Sequence, residues 1–418
     1  MKPSPSKRAI RFRFGHSAKI LTFWKRLVAR AARNHRTPFY LFSIDPIREA
    51  LAELKRIDNA ALPVRHWLSC KTQPVRPLLQ WWRRQGRGLE VVSEFELQAA
   101  LAEGFNPERI LVNGPAKHHW LPRRPVPRLA VNFDSLREIE RLLPLAKSLN
   151  WRVGIRCLTE EEFDPETPSR PTQFGLAPHD AILALHRLQR AGAEIEILHF
   201  HLRTNVASAA VYERAIREVA EICGAARWIP RVLDCGGGFP PGHTLPRNGR
   251  PFAARFDLEK LAKVYENAAR LLPGLEEIWL ENGRFLTARS GVLVAQVLDV
   301  KERRGLRQLI CDAGRTTHAL LSNWEAHEVL ALPSRGGRAS LTGVYGPTCM
   351  AFDQLTCRAL PRSIREGDLL IWMEAGAYHM PWETRFSHGL ATVLWHENGK
   401  LRLARPRESF AAWWGQWR

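Results

Sequence analysis

Long apolar runs are missing from this 418-residue chain: no window approaches eighteen consecutive apolar residues, which argues against a transmembrane helix. The first residues are basic but carry no apolar stretch followed by small residues, so no secretory leader is expected. The seven cysteines, Cys70, Cys157, Cys223, Cys235, Cys311, Cys349 and Cys357, are odd in number and never fall in a Cys-x-x-Cys spacing. Neither a disulfide framework nor a zinc site is suggested by them, no metal is assigned, and a reducing, cytoplasmic compartment is the expectation. Acidic residues are absent before Asp45, whereas Arg8, Arg11, Arg13, Lys19, Lys25, Arg26, Arg30 and Arg33 accumulate there. Internal repeats and low-complexity tracts are absent as well.

What is present is ordinary for a folded protein: 45% hydrophobic and 25% charged residues, enough for a sizeable core in about two domains. The net charge of +20 would steer anionic partners toward the chain. The basic N-terminal run reads as a solvated face rather than an anion-binding arm, because charge runs mostly solubilise. Fifteen tryptophans and the charge are all that would support a nucleic-acid partner, and no binding module accompanies them. No nucleic acid and no membrane partner are expected.

Apolar runs bounded by turn signals alternate with helical patterns from Arg65 onward, with strands expected at 65–70, 89–92, 109–112, 129–132, 151–156, 195–202, 231–235 and 277–280. Ser93 with Glu96 forms a capping box before Leu97, Ala100 and Leu101, and Gly104 closes that helix. Eight such units fit an α/β fold, a (β/α)8 TIM barrel rather than an open doubly wound sheet. After Arg284 the pattern turns β-rich, at 292–301, 306–312 and 368–373. A strand at 38–42 and a helix opened by Asp45 and Pro46, with Ile47, Leu51 and Leu54 on one face, precede the barrel. The expected division is a barrel over 48–285 and a second, mostly β domain over 1–47 and 286–418.

Barrel chemistry collects where strands end. There the sequence places Lys71, Ser93, Asn113, Gly114, Arg156, His201, Thr204, Gly236, Gly237, Gly238, Glu281, Gly283 and Arg284. Three successive glycines after an apolar strand let backbone N–H groups approach an anion such as a phosphate, although a tight βα turn uses glycine equally well. A lysine at such an end can form a Schiff base with an aldehyde cofactor, Glu281 could hold a protonated pyridine nitrogen, and His201 could lie against a flat ring. A solvated lysine, a structural ion pair and a core histidine are the plainer alternatives.

In order and spacing, Thr37-Pro38-Phe39-Tyr40, Ser69-Cys70-Lys71-Thr72, Glu90-Val91-Val92-Ser93-Glu94, His199-Phe200-His201-Leu202, Leu233-Asp234-Cys235-Gly236-Gly237-Gly238-Phe239-Pro240, Glu281-Asn282-Gly283-Arg284, Gly346-Pro347-Thr348-Cys349 and Glu374-Ala375-Gly376-Ala377-Tyr378 resemble the pyridoxal-phosphate decarboxylases with an alanine-racemase-like barrel (fold type III), the group of ornithine, arginine and diaminopimelate decarboxylases. The resemblance implies pyridoxal 5′-phosphate on Lys71. It implies a phosphate held by Gly236, Gly237, Gly238, Gly283, Arg284 and Tyr378, a ring nitrogen paired with Glu281, and His201 stacked on the ring. Glu90, Arg156 and Thr204 join the cofactor set, and Cys349 joins Lys71 as catalytic. It also implies a homodimer with shared active sites, in which Cys349 and the β-rich domain complete the partner's site.

Departures from the family bear on the substrate. Met350 stands where diamino-acid decarboxylases carry an acidic residue, and Leu320 and Trp324 stand where diaminopimelate enzymes have arginine and tyrosine. Arg203 and Thr204 replace a Gly-Ser. With Arg203, Trp324, Met350 and Asp353 as the substrate-binding set, the expectation is decarboxylation of a small-molecule or carrier-protein-linked amino acid that is not a simple diamino acid. An amino-acid racemase on the same fold and a non-catalytic regulator are the alternatives; the Cys349 segment argues against the first, and the retained Lys71 and Cys349 against the second.

Overall fold

The computed structural model of the chain describes residues 12–58, 62–162, 172–246, 256–318 and 324–417. Arg8, Arg11 and Leu320 lie outside them. Two compact units share the chain, Arg48–Pro240 with Ala253–Leu286, and Met1–Ile47 with Pro241–Phe252 and Thr287–Arg418. No described helix is long and apolar enough to cross a membrane.

The first strand, β1 (Phe39–Ser43), belongs to the β-rich unit, and the next seven belong to the barrel: β2 (Val64–Ser69), β3 (Gly88–Val91), β4 (Ile110–Val112), β5 (Ala130–Phe133), β6 (Arg152–Arg156), β7 (Ile195–His199) and β8 (Val232–Asp234). A short β9 (Leu245–Pro246) returns to the β-rich unit, and β10 (Glu277–Glu281) closes the barrel between β8 and β2. All eight barrel strands are paired in parallel. Such strands are buried on both faces, which is why they read as continuous apolar runs in the sequence. Inside, Trp67, Leu111, Ala130, Ile197, Val232 and Trp279 form one cluster, with the Trp67 and Trp279 rings 4.6 Å apart.

The helix Glu94–Ala102 begins as its capping box requires, with the Ser93 hydroxyl accepting from Glu96 N–H at 3.2 Å. The Glu96 carboxylate reaches back to Val92 N–H at 2.9 Å, one residue before the usual position.

In the β-rich unit, β11 (Gly291–Arg303) pairs with β1, β12 (Leu306–Cys311) and β17 (Leu369–Trp372). The remaining strands are β13 (Glu325–Ala326), β14 (Val329–Leu332), β15 (Ala339–Tyr345), β16 (Gln354–Pro361), β18 (Thr392–Glu397) and β19 (Lys400–Arg405). The excursion of Pro241–Phe252 out of the barrel sequence has its cause in β9, which pairs antiparallel with β13.

The basic N-terminal run is not simply a solvated face over its described part. Ala18–Ala31 is a helix capped by Ser17, whose hydroxyl accepts from Ile20 N–H at 3.4 Å. Trp24, Leu27, Val28 and Ala31 fall at helical spacing and pack with Phe39, Leu41, Val292, Val294, Ile371 and Met373 in the core of the β-rich unit. Its lysines and arginines occupy the other face: Lys25 donates to Ser334 Oγ and Arg30 to Gly399 O, each at 2.8 Å.

Candidate active site

Barrel register brings the first two groups together. Ser69, the last residue of β2, sits beside Glu90 of β3, so Lys71, one short turn further on, reaches the Glu90 carboxylate. Lys71 Nζ donates to both oxygens, at 2.9 and 2.8 Å. Glu90 is 1% exposed, whereas the Lys71 side chain keeps about a third of its surface open.

Glu281, the last residue of β10, is the second centre. Its carboxylate is buried yet accepts from Asn113 Nδ2, and it meets His201 Nδ1 at 3.2 Å and His199 Nε2 at 3.5 Å. His199 ends β7 and His201 lies two residues on, so both point the same way. Behind them Asn132 Nδ2 donates to Asn113 Oδ1 at 3.0 Å and to Asp234 Oδ2 at 3.1 Å, and Asp234 Oδ1 accepts from Gly236 N–H at 3.0 Å. Burial alone would raise the pKa of Glu281, but the imidazoles of His199 and His201 and the Lys71 ammonium hold it far below the usual carboxylate range. Burial first, and the Glu281 charge second, push Asp234 well above that range. The two buried carboxyls of this network are thus pushed in opposite directions, Glu281 toward the charged form and Asp234 toward the neutral one.

The glycine run forms a close-packed shelf beside this pair. A Cβ at Gly237 would lie 2.6 Å from the carbonyl oxygen of Glu281, and one at Gly236 would lie 2.5 Å from His201 Nδ1. Gly236 and Gly238 also take φ of +60° and +94°, where a side chain is strained. Gly283 stands under Ser69 and Thr72: its Cβ would meet Thr72 Cγ2 at 2.3 Å. Arg284 opens the short helix Arg284–Thr287.

The other expected barrel residues are distributed less simply. Arg156, at the end of β6, is buried between Glu162 and Asp134, the latter at 3.9 Å, with its guanidinium over the Phe174 ring at 4.6 Å. Arg203 is half-buried with Glu161 at 3.8 Å, and Thr204 is exposed.

In the β-rich unit, Cys349 is exposed and Met350 half-buried on one turn. Asp353 is buried, and its carboxylate accepts from Arg315 N–H at 2.7 Å, from Thr348 N–H at 3.1 Å and from the Thr348 hydroxyl at 2.6 Å. It holds that turn together. Trp324 is 56% exposed and edge-on to Trp382. Tyr378 is half-buried at a left-handed φ of +68°.

Among the residues around Glu281, Asn113, His199 and Asp234 stand in the sequence's barrel-end set or motifs without an assigned role, and Asn132 is singled out by neither. Their signal was present: polar side chains inside or ending otherwise apolar strands that form a barrel interior.

A lysine amine, a buried ionised carboxylate, an imidazole and a glycine shelf with close-approach backbone fit an aldehyde-bearing pyridine with a phosphate tail. On an eight-stranded barrel followed by a β-rich domain, they define an enzyme of the alanine-racemase-like, pyridoxal-phosphate-dependent class. Residues 47–288 match the pyridoxal-dependent decarboxylases, over their pyridoxal binding domain, and the chain belongs to that family. It is a pyridoxal-phosphate-dependent amino-acid decarboxylase; the racemase and regulator alternatives are set aside.

The chain is 30% identical over 397 residues to the diaminopimelate decarboxylase of Deinococcus radiodurans, covering 92% of each chain. It is 26% identical over 404 residues to that of Helicobacter pylori, covering 91% of this chain and 96% of the other. The crystal structure of the Helicobacter pylori enzyme complexed with L-lysine superposes with a TM-score of 0.80 at 25% identity, covering 93% of this chain and 98% of that one. These relatives overturn the expectation that simple diamino acids are excluded, and nothing among them supports a carrier-linked substrate. The inference from Met350 failed because one missing acidic side chain does not determine how a whole site meets a distal ammonium.

Proposed function

We infer that the chain removes a carboxylate from a diamino acid of the diaminopimelate kind. The observation that carries this reading is the 30% identity to a diaminopimelate decarboxylase across 92% of both chains. The ligand named for the related Helicobacter pylori structure, L-lysine, is what diaminopimelate becomes after losing one CO2.

Pyridoxal phosphate, joined through its aldehyde to an amine, supplies an electron sink for the pair released as CO2 leaves. In this reading Lys71 is the amine that carries the cofactor, with Glu90 holding it in register. Glu281, held low by its imidazole neighbours and Lys71, would pair with the ring nitrogen and keep it protonated, and His201 would lie against the ring. Backbone at Gly236, Gly237, Gly238 and Gly283, with Arg284, Tyr378 and Thr204, takes the phosphate. Arg156, committed to Glu162 and Asp134, acts by holding the strand ends that carry the cofactor set.

We assign proton return to Lys71 Nζ or Cys349 Sγ, with Cys349 serving the other copy in a homodimer. Arg203, Trp324 and Met350 are assigned to the distal end of the substrate. Diaminopimelate carries a carboxylate there, a partner for the Arg203 guanidinium, whose Glu161 contact is long at 3.8 Å. Asp353 positions the Cys349 turn rather than touching substrate.

The test is CO2 release by the cofactor-loaded protein from meso-diaminopimelate, ornithine and lysine, each alone. A kcat/KM for diaminopimelate at least tenfold above the other two is expected. A preference for ornithine, or release from none of the three, overturns the reading.

A further inference from the structure

Three histidines of the β-rich unit lie together in full burial, away from the barrel mouth in sequence and absent from every site assignment above. They are His318, His327 and His379, each no more than 1% exposed. Ring centroids are 4.0 Å apart for His318 and His379, 5.0 Å for His327 and His379, and 5.3 Å for His318 and His327. One nitrogen from each lies within 4.8 Å of the other two. The rings belong to three separate pieces of chain, so no ligand spacing in the sequence announces them.

Aromatic packing alone would account for three clustered rings, but it does not account for their polar atoms. His327 Nδ1 faces the carbonyl oxygen of Met373 at 2.6 Å, a partner that can only accept, so Nδ1 carries the hydrogen. Its Nε2 meets the Glu325 carboxylate, an acceptor when ionised, at 3.0 Å, so an electron-poor centre, a proton or a cation, belongs between them. Glu325 is 4% exposed, so this carboxylate is turned into the histidine cluster and away from water.

His318 adds a second, independent observation. Its ring is 0% exposed, and neither nitrogen has a hydrogen-bond partner on another described residue. A buried, unpartnered imidazole calls for an explanation, and an ion is one of the few available.

We propose that His318, His327 and His379, with the Glu325 carboxylate as fourth ligand, form a binding site for a divalent transition metal of the zinc class. Three imidazoles and one carboxylate are a donor set such ions accept, with Zn–N near 2.0–2.1 Å and tetrahedral N···N separations of roughly 3.3 Å. Binding an ion requires the 4.8 Å spread to contract to that separation. The His327 Nδ1–H bond to Met373 O is the outer contact that fixes a ligating imidazole's tautomer and orientation. A bound ion ties the 314–318 turn, β13 and the 373–379 loop into one knot, and Tyr378 and Trp324 each adjoin one of the ligands.

A second cluster, His16, His243 and Glu374, meets the same distance criterion but is already satisfied internally. Glu374 accepts from His243 N–H at 2.9 Å and from Thr244 N–H and Oγ1 at 2.6 Å each, and His16 bridges two carboxylates. It serves as the control.

The experiment takes the full-length, cofactor-loaded protein, strips metal with a chelator, removes the chelator, and titrates with Co2+ alone. The intense ligand-field absorption of low-symmetry Co2+ is expected to saturate at one ion per chain. His318→Leu and His327→Leu should each raise the Co2+ Kd at least tenfold, with His243→Ala unchanged. Zinc-edge X-ray absorption on the unmutated protein reads the ligands whether or not the variants fold, and three imidazole shells are expected. No Co2+ binding, binding unchanged in folded His318→Leu, or two or fewer imidazoles at zinc overturns the proposal.

Discussion

Glu281 and Asp234 are joined through two asparagine amides: Asn132 Nδ2 donates to Asp234 and to Asn113, and Asn113 Nδ2 donates to Glu281. Glu281, held low by its neighbours, is the member of the pair that favours the charged form, and burial beside that charge raises Asp234. Glu281→Gln keeps the shape and removes the charge. The cofactor should still bind, while kcat falls on the order of 10²–10³-fold, the cost of deleting one preorganised electrostatic partner in a buried site. Steady-state kinetics with cofactor content measured in parallel checks this; an unchanged kcat at full occupancy would deny Glu281 its role.

Gly237→Ala tests the shelf separately. The added methyl would lie 2.6 Å from a backbone carbonyl, which has no side-chain freedom with which to retreat. The shelf must shift, and affinity for pyridoxal phosphate should fall at least tenfold with the fold retained. Equilibrium dialysis against free cofactor, with circular dichroism as control, measures both.

Lys117 and Glu138 make a fully buried ion pair at 2.7 Å, with both side chains at 0% exposure. Glu138 also accepts from Lys117 N–H at 2.7 Å and from Asp134 N–H at 2.9 Å, so it cannot easily leave. Lys117→Met should cost about 3–5 kcal/mol in stability, because an uncompensated carboxylate stays inside. Glu138→Gln with Lys117→Met together should cost less than the single change. Urea unfolding of the two variants and the parent decides it.

Much of the fold was legible because parallel barrel strands bury both faces. The reading of 277–280 falls within Glu277–Glu281, and that of 129–132 is one residue off Ala130–Phe133. The longest overrun, 195–202 against Ile195–His199, came from Phe200 and Leu202, loop residues that are buried and so extend the apolar run. The helix Ala18–Ala31 was missed because Lys19, Lys25, Arg26 and Arg30 dominate a stretch whose apolar stripe, Trp24, Leu27, Val28 and Ala31, is in register. At the site, residue types flagged Lys71 and Glu281. Partners such as Asn132 and Asp234 depend on which strands neighbour one another across a closed barrel, and a one-dimensional pattern does not carry that. The substrate was misread because Met350 reports one contact, while recognition sums many.

Mixing tests the proposed sharing of sites between two copies. Lys71→Ala should lose the yellow absorption of lysine-bound pyridoxal and all activity, and Cys349→Ala should be inactive with its colour intact. After subunit exchange, a mixed dimer holds one site with both residues native, so up to about a quarter of the parental activity should return. No recovery after exchange is demonstrated would place both residues in one copy's site.

The pH dependence of stability should carry the signature of His16. Burial alone would lower its pKa, but the Glu328 carboxylate at 2.6 Å and Glu374 at 3.4 Å raise it from 6.5 to about 9. A group whose folded pKa is raised binds its proton more tightly in the native state, so the native state is favoured fully below the unfolded value, near 6.5. That stabilisation is lost as pH climbs through about 9. It amounts to roughly 2–3 kcal/mol, counted once for the histidine and its carboxylates together. Urea midpoints of the parent should therefore fall between pH 6.5 and 9, and those of His16→Gln, which cannot take the proton, should be flatter there and lower at pH 6.5. Parallel profiles for the two proteins would show that His16 is not the group titrating.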